Sequence, residues 1–193
     1  MRIVLLRHGE PKSNLSDNFR LKISANEIKS LISVFNDSGL NKQKMPTSEA
    51  LYVAKSCKAV VCSNLPRSIE SAKALGVQTI DLIDPVFREA ELPHPEWRYP
   101  KLALITWFLV FRALWFLGYS NNNGEPITSA NKRAEKAFLK LRQIAEEHSS
   151  VMLIGHGIIN QLIAKRLRAN GWRGPKKPGN KYWEYGIYDF IKI

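Results

Sequence analysis

Ile3-Val4-Leu5-Leu6-Arg7-His8-Gly9-Glu10 is the stretch that decides the reading of this chain. Four consecutive apolar residues, within a run from Arg2 to Arg7, read as a strand buried on both faces, the pattern of a parallel sheet. The strand ends in a fixed cation, an imidazole and a glycine. In open α/β sheets ligands bind just beyond the carboxyl ends of the strands. Arginine is a rigid fork for phosphate oxygens, histidine a nitrogen base that can also be a nucleophile, and glycine permits close approach of backbone and ligand. The tetrad predicts a phosphate-handling site centred on His8.

The same logic recurs further along. Val151 to Ile154 predicts a strand, followed by Gly155-His156-Gly157 and an apolar helix from Ile158 to Ala169. Ala59 to Cys62 predicts another, followed by Ser63-Asn64-Leu65-Pro66-Arg67 and a helix over Pro66–Leu75 that opens on a proline suited to the first turn. Parallel strands would bring His8, His156, Arg7 and Arg67 to one edge, beside helix N-termini whose free amides favour anions. Further helices are expected over Ser24–Asn36, with Ser24 and Glu27 as a capping box, from Thr47 or Ser48 to Lys55, and over Thr128–His148. Gln78–Leu82 and Tyr185–Ile193 predict two more strands. The alternation gives an α/β three-layer sandwich, a mostly parallel central sheet with helices on both faces.

Length and composition agree with one domain over residues 1–193: 45% hydrophobic and 24% charged residues leave room for a substantial core. The exception to the pattern is an insertion or cap at about 91–125, proline-rich at its start and closed by the loop Asn121 to Gly124. Within it Leu102 to Tyr119 carries one charge, Arg112, and reaches the minimum length for a spanning helix, about 27 Å. A span there would place His8 and His156 on opposite sides of a membrane. The expectation is therefore a helix buried between cap and core, or an apolar surface for a homodimer or a membrane face. No signal peptide is read at the start. Cys57 and Cys62 match no metal or redox spacing and read as small buried residues, with the cytoplasm as expected location.

The net charge of +12 favours anionic partners without choosing among them. Lys165 to Lys181 holds seven basic residues and no acid, a run that would curl towards the pocket or simply be solvated. Trp172 beside Arg173 would permit nucleic-acid contact, but no recognised binding motif accompanies it. A small phosphorylated substrate is the expected partner, with no metal or cofactor signalled.

These motifs together resemble the histidine phosphatase superfamily, which includes the cofactor-dependent phosphoglycerate mutases. Arg7-His8-Gly9-Glu10 is similar to its signature, Ser63 to Ser68 to its Ser-Pro-Leu-x-Arg-Ala element with Asn64 in place of proline, and Gly155-His156-Gly157 to its second histidine motif. Asn14 falls where the family has a phosphate-contacting asparagine, and Phe87-Arg88-Glu89 resembles the element supplying its acid. The Gly-x-x-Glu-Gly continuation of well-known members is absent after Glu89. Gly171 to Pro175 looks more loosely like a bacterial branch ending in Gly-Trp-Arg-Gly-Pro, a likeness that names no substrate.

The resemblance implies a phosphoglycerate-mutase-like fold and a metal-independent phosphomonoesterase. His8 would form phosphohistidine, Arg7, Asn14, Arg67, the Gly157 amide and a protonated His156 would hold the phosphoryl oxygens, and Glu89 (or Glu91) would serve as general acid. Glu10 would support the site from behind. A phosphoglycerate-type mutase and an inactive phosphate-binding or regulatory module are the alternatives. His94, between prolines in the insertion, reads as incidental to the site, with a place at the substrate mouth as the alternative. His148 would sit at a helix C-terminus, where a cation is favourable.

Overall fold

The computed structural model describes residues 1–191. Strands β1 (Arg2–Arg7), β3 (Ala59–Cys62), β4 (Leu82–Ile83), β6 (Ser150–Gly155) and β7 (Tyr185–Asp189) form one sheet in the order β4-β3-β6-β1-β7. All neighbours are parallel except β7, which runs antiparallel to β1 at the edge. A second ribbon pairs β2 (Lys22–Ile23) with β5 (Leu102–Ala103). The helices are α1 (Ile28–Asp37), α2 (Ser48–Ser56), α3 (Pro66–Ala74), α4 (Leu104–Phe116), α5 (Ile127–His148) and α6 (Gly157–Ala169).

The period of two along each strand sorts the core into layers. Ile3, Leu5, Val61, Val151 and Leu153 meet α5 and α6 through Phe138, Leu141, Ile159 and Ile163 on one face. Val4, Leu6, Val60, Met152 and Ile154 meet α2 and α3 through Ala50, Val53, Ala72 and Leu75 on the other. Each such aliphatic side chain contributes about 1.5–3 kcal/mol on burial. This is the three-layer arrangement expected from the alternation of strand and helix.

Local differences have local causes. Ser24–Asn36 does not begin as an α-helix: Ala25–Glu27 is a 3₁₀ turn, and α1 starts at Ile28. The Glu27 carboxylate accepts from both the Ser24 amide (2.8 Å) and its hydroxyl (2.6 Å), so Ser24 and Glu27 do mark the start. Of the expected strand Gln78–Leu82, only Leu82 and its successor Ile83 pair. Asp81 ends the ladder early: its carboxylate accepts from the Val60 amide at 2.7 Å. Helix α5 begins one residue earlier than expected, and His148 closes it. In the run Tyr185–Ile193 the strand stops at Asp189, and residues 192 and 193 lie outside the described residues. Cys62 is buried, whereas Cys57 is only half-buried.

Residues 91–125 contain β5 and α4. Leu104, Trp107 and Phe111 of α4 pack on Ile23, Ala25 and Ile28. Trp115 packs on Ala90, Leu92 and Ala130. The Trp107 indole donates to the Ile23 carbonyl (2.8 Å) and that of Trp115 to the Glu125 carbonyl (2.6 Å), satisfying both donors inside an apolar layer. Helix α4 therefore rests on two parts of the molecule at once, which explains why it is apolar around most of its girth, while Leu109, Val110 and Phe116 remain exposed. Among the described residues no helix is long and apolar enough to cross a membrane.

Candidate active site

Register places the two histidines. Arg7 pairs with Gly155 across the parallel ladder, so the next residues, His8 and His156, emerge side by side. The His8 amide donates to the Gly155 carbonyl at 3.1 Å, and the two rings meet edge to face with centroids 4.9 Å apart. Cys62 pairs with Ile154, which sets Ser63 beside the same edge. The Ser63 hydroxyl lies 2.7 Å from Nε2 of His156. Both histidines are buried, as is Arg67.

The hydrogen bonds assign the His8 tautomer. Nδ1 lies 2.6 Å from the Gly9 carbonyl, which can only accept, so Nδ1 carries the proton. Nε2 is then a lone pair, and it accepts from Arg67 Nε at 3.2 Å. Arg67 is itself braced: Nη1 donates to the Phe35 carbonyl (3.0 Å), Nη2 to Oδ1 of Asn36 (3.3 Å), and the guanidinium lies over the Phe35 ring. The C-terminus of α1, with its partial negative charge, thus holds this cation in place. Burial still pushes the Arg67 guanidinium down to about 10.

Gly9 serves the protein rather than a ligand. A Cβ there would lie 2.1 Å from the Trp183 ring and 2.6 Å from Leu40. The close approach expected at this glycine is therefore made by two core side chains. Its amide donates to Ser71 Oγ at 2.9 Å, which ties the loop after His8 to α3.

Arg7 is aimed by the segment before β7. Nη1 donates to the Asn180 carbonyl, the guanidinium lies 4.5 Å from the Tyr182 ring centroid, and Nε is buried with no partner. The end of the basic run does reach the site through Asn180 to Tyr182. Trp172 does not: it is buried against Phe190, which removes it as a surface for stacking bases. Asn14 is half-buried and borders a cleft with Arg7 and Tyr182, where its Oδ1 accepts from the Ser16 amide and the Tyr182 hydroxyl, both at 3.2 Å. Glu10 is half-buried, and among the described residues its carboxylate hydrogen-bonds to none of these groups.

Glu89 is fixed at the N-terminus of α6. Its Oε1 accepts from the amides of Ile158 and Ile159, both at 3.0 Å, and from that of Ala90 at 2.9 Å. A Cβ on Gly157 would lie 3.5 Å from Glu89 Oε2 and 3.9 Å from Arg7 Cζ, so Gly157 faces both. Glu91 is exposed, with no such anchors. A cavity of about 190 Å³ is lined by Arg7, Arg67, Arg88, Glu89, Glu91 and Arg112, with Phe35 and Phe108 among its apolar walls. His94 lies outside it. That side chain is buried, with Nδ1 3.2 Å from the Leu92 carbonyl. Among the described residues no group of three or more His, Cys, Asp or Glu side chains is arranged to hold a metal ion.

Burial pushes both imidazoles well below the usual histidine range, with Arg67 and Arg7 adding to the effect. For His156, His8 contributes as well. A protonated His156 is thus not the state of the unliganded protein, because a cation there would be fully desolvated beside two guanidinium groups. Stability follows with a definite sign. The unfolded chain binds these protons below pH about 6.5 and the folded one resists them, so stability is complete above that pH and falls as the pH drops below it. Each imidazole is expected to contribute a slope of about 1.4 kcal/mol per pH unit. Thermal melts between pH 5 and 8 of wild type and His156→Gln check this: the substitution should flatten the acid limb, and an unchanged limb would disprove the assignment.

Comparison with known proteins is decisive for the family. Residues 3–182 match the model of the histidine phosphatase superfamily, branch 1. The chain belongs to this superfamily. A search of curated proteins returned no match. Among solved structures this chain resembles the product of open reading frame Rv3214 of Mycobacterium tuberculosis, with 18% identity, 98% of this chain and 91% of that chain covered, and a TM-score of 0.62. It also resembles the mycobacterial glucosyl-3-phosphoglycerate phosphatase Rv2419c (19%, 96% and 91%, 0.60). A third likeness is to the alpha-ribazole phosphatase of Shigella flexneri (18%, 86% and 79%, 0.56). At these identities the likeness is one of fold, and it matches the mostly parallel sheet described above.

Sequence reasoning passed over Asn180, Tyr182, Arg88 and a site role for Arg112. Asn180 lies within the basic run Lys165 to Lys181, for which curling towards the pocket is one of two readings, and Tyr182 follows it directly, so proximity in sequence is the available signal. A single arginine in an otherwise apolar helix was the signal for Arg112.

Proposed function

We propose that this histidine phosphatase hydrolyses phosphomonoesters through a phosphohistidine on Nε2 of His8. The observation that carries the reading is the His8 tautomer, a buried neutral imidazole whose free lone pair is held against Arg67. A site that bound phosphate without reacting would need no such nucleophile.

The steps follow from charge. The phosphoryl group displaces Arg67 Nε from the His8 lone pair, and its oxygens are taken by Arg7, Arg67 and the Gly157 amide. Asn14 can join them from the adjoining cleft. The negative charge of the bound phosphoryl group lets His156 hold a proton that burial alone would refuse. Nε2 attacks phosphorus in line as the ester P–O bond breaks. Glu89 starts as the carboxylate held by the α6 amides; its Oε2, which faces Gly157 and Arg7, relays the proton brought by the substrate monoanion to the leaving oxygen. The carboxylate then takes a proton from water as that water attacks phosphorus, the P–N bond breaks, and the electron pair returns to His8. Positioning and cations do most of the work in such transfers. The scheme calls on no metal. That two fold neighbours are named as phosphatases agrees with hydrolysis rather than mutase transfer.

The test is a phosphomonoester panel assayed in EDTA, with rapid acid-free quench to trap phosphoenzyme. Phosphate release that survives chelation, with a base-stable, acid-labile phosphoryl group on His8, is the expected result. Interconversion of 2- and 3-phosphoglycerate without phosphate release would overturn it in favour of a mutase.

A further inference from the structure

Arg112 is the one charged side chain of α4. Its Nη1 is buried with no hydrogen-bond partner, and among the described residues it forms no salt bridge. Its packing partner is Trp115, whose ring centroid lies 5.0 Å from the guanidinium carbon. Trp115 is fully buried and tied to the Glu125 carbonyl, so this side of the arginine is rigid. Arg112 lines the same cavity as Arg7, Arg67 and Glu89.

A structural arginine in an apolar layer normally has its donors met by a carboxylate or by carbonyls, because an unmet buried donor is costly. Arg112 lacks that satisfaction. Glu89, the carboxylate whose charge bears on it, is already committed to three backbone amides. Glu91 is solvent-exposed on the same rim. Four arginines and two carboxylates line the cavity, so the balance is cationic. Arg7 and Arg67 come from the sheet edge that carries His8, whereas Arg112 comes from the insertion, on a helix that also offers Phe108 to the cavity.

We infer that Arg112 is the binding site for a second anionic group, a carboxylate or a phosphate, carried on the leaving-group portion of the substrate. This deepens the phosphomonoesterase reading and rests on it for the place of the first phosphoryl group. The planar fork of arginine suits either anion in two-point contact. The apolar walls at Ile32, Phe35, Leu92 and Phe108 would take the body between the two charges. The substrate class is thus a phosphomonoester with an apolar or cyclic middle and a distal negative charge.

Non-hydrolysable probes separate this inference from the reaction itself. Benzylphosphonate is compared with its 3-carboxy and 4-carboxy derivatives by calorimetry in wild type, Arg112→Gln and Arg112→Lys. Wild type is expected to bind at least one carboxylated probe about tenfold more tightly than the parent, the size of one charge-assisted contact. In Arg112→Gln the ratio should fall to within about twofold of unity, and Arg112→Lys should keep part of it. Equal binding of all three probes by wild type, or a preference that survives in Arg112→Gln, would overturn the subsite, and the wild-type ratio decides even if the variants fail to fold. Hydrolysis of phenyl phosphate by wild type is scored separately. Its absence would count against the phosphatase reading, while the phosphonate ratios would still judge the subsite. If Arg112 merely tuned Glu89, its substitution would shift the pH profile equally for phenyl and carboxyphenyl phosphates and leave their ratio unchanged, which also overturns the inference.

Discussion

His8→Ala is expected to lower kcat by at least about 10⁴-fold while leaving a phosphate-binding protein behind. Loss of a nucleophile is not made up by the rest of a catalytic constellation, which acts as a unit. The cations proposed to hold the anion, Arg7 and Arg67, do not depend on the imidazole for their placement: the C-terminus of α1 braces Arg67 and the Asn180 carbonyl braces Arg7. Inorganic phosphate should therefore still bind, within about tenfold of wild type, since one of several polar contacts is lost. Steady-state assays and calorimetry on the same preparation decide the matter. A variant that retained a tenth of the wild-type turnover would disprove nucleophilic catalysis by His8. The trapped phosphoryl group should vanish at the same time.

Arg67→Ala should show the second-largest effect, on two readouts at once. Removing a preorganised donor from a developing phosphoryl charge costs about 10²–10³ in kcat/KM. The same truncation strips the α1 carbonyl at Phe35 and the Asn36 side chain of a donor and opens a hole at a residue that is 1% exposed. A stability loss of about 2–3 kcal/mol is expected. For a chain of this size that lowers Tm by roughly 4–12 °C. Arg67→Lys separates the two effects. Its ammonium can still reach the helix end and restore much of the Tm, but a point charge cannot bridge α1, His8 and a phosphoryl oxygen together, so activity should stay low. Full recovery of kcat/KM by lysine would show that only charge matters at this position.

The fold was legible where strands end in chemistry. Repetition of strand, histidine and glycine at His8 and His156 was enough to foresee a parallel sheet, and the register Arg7 to Gly155 gives the physical form of that repetition. The clusters assigned to the two sheet faces follow the same period. Features made by long-range partners escaped notice. Gly9 was read as room for a ligand, yet the space is filled by Trp183 and Leu40 from distant segments. The resemblance implies Glu89, or Glu91, as the general acid, but nothing near Glu89 in sequence announces that it caps α6 from outside that helix. The ribbon of β2 with β5 is two residues wide on each side, too short for any alternation to register. Arg112 stood out in the apolar run, but only the cavity says which way it faces.

The position of β1 has a consequence for how the molecule comes to be. Strand β1, which leads to His8, pairs with β6 and β7, and both of these neighbours begin some 150 residues or more downstream of it. Pairings of such high contact order are slow, because the closure entropy of a long loop is spent before any contact rewards it. Arg7 likewise waits for Asn180 and Tyr182. A chain lacking those late segments can collapse around its helices but leaves His8 without the strands that seat it, so the proposed site is expected to form late in folding rather than early.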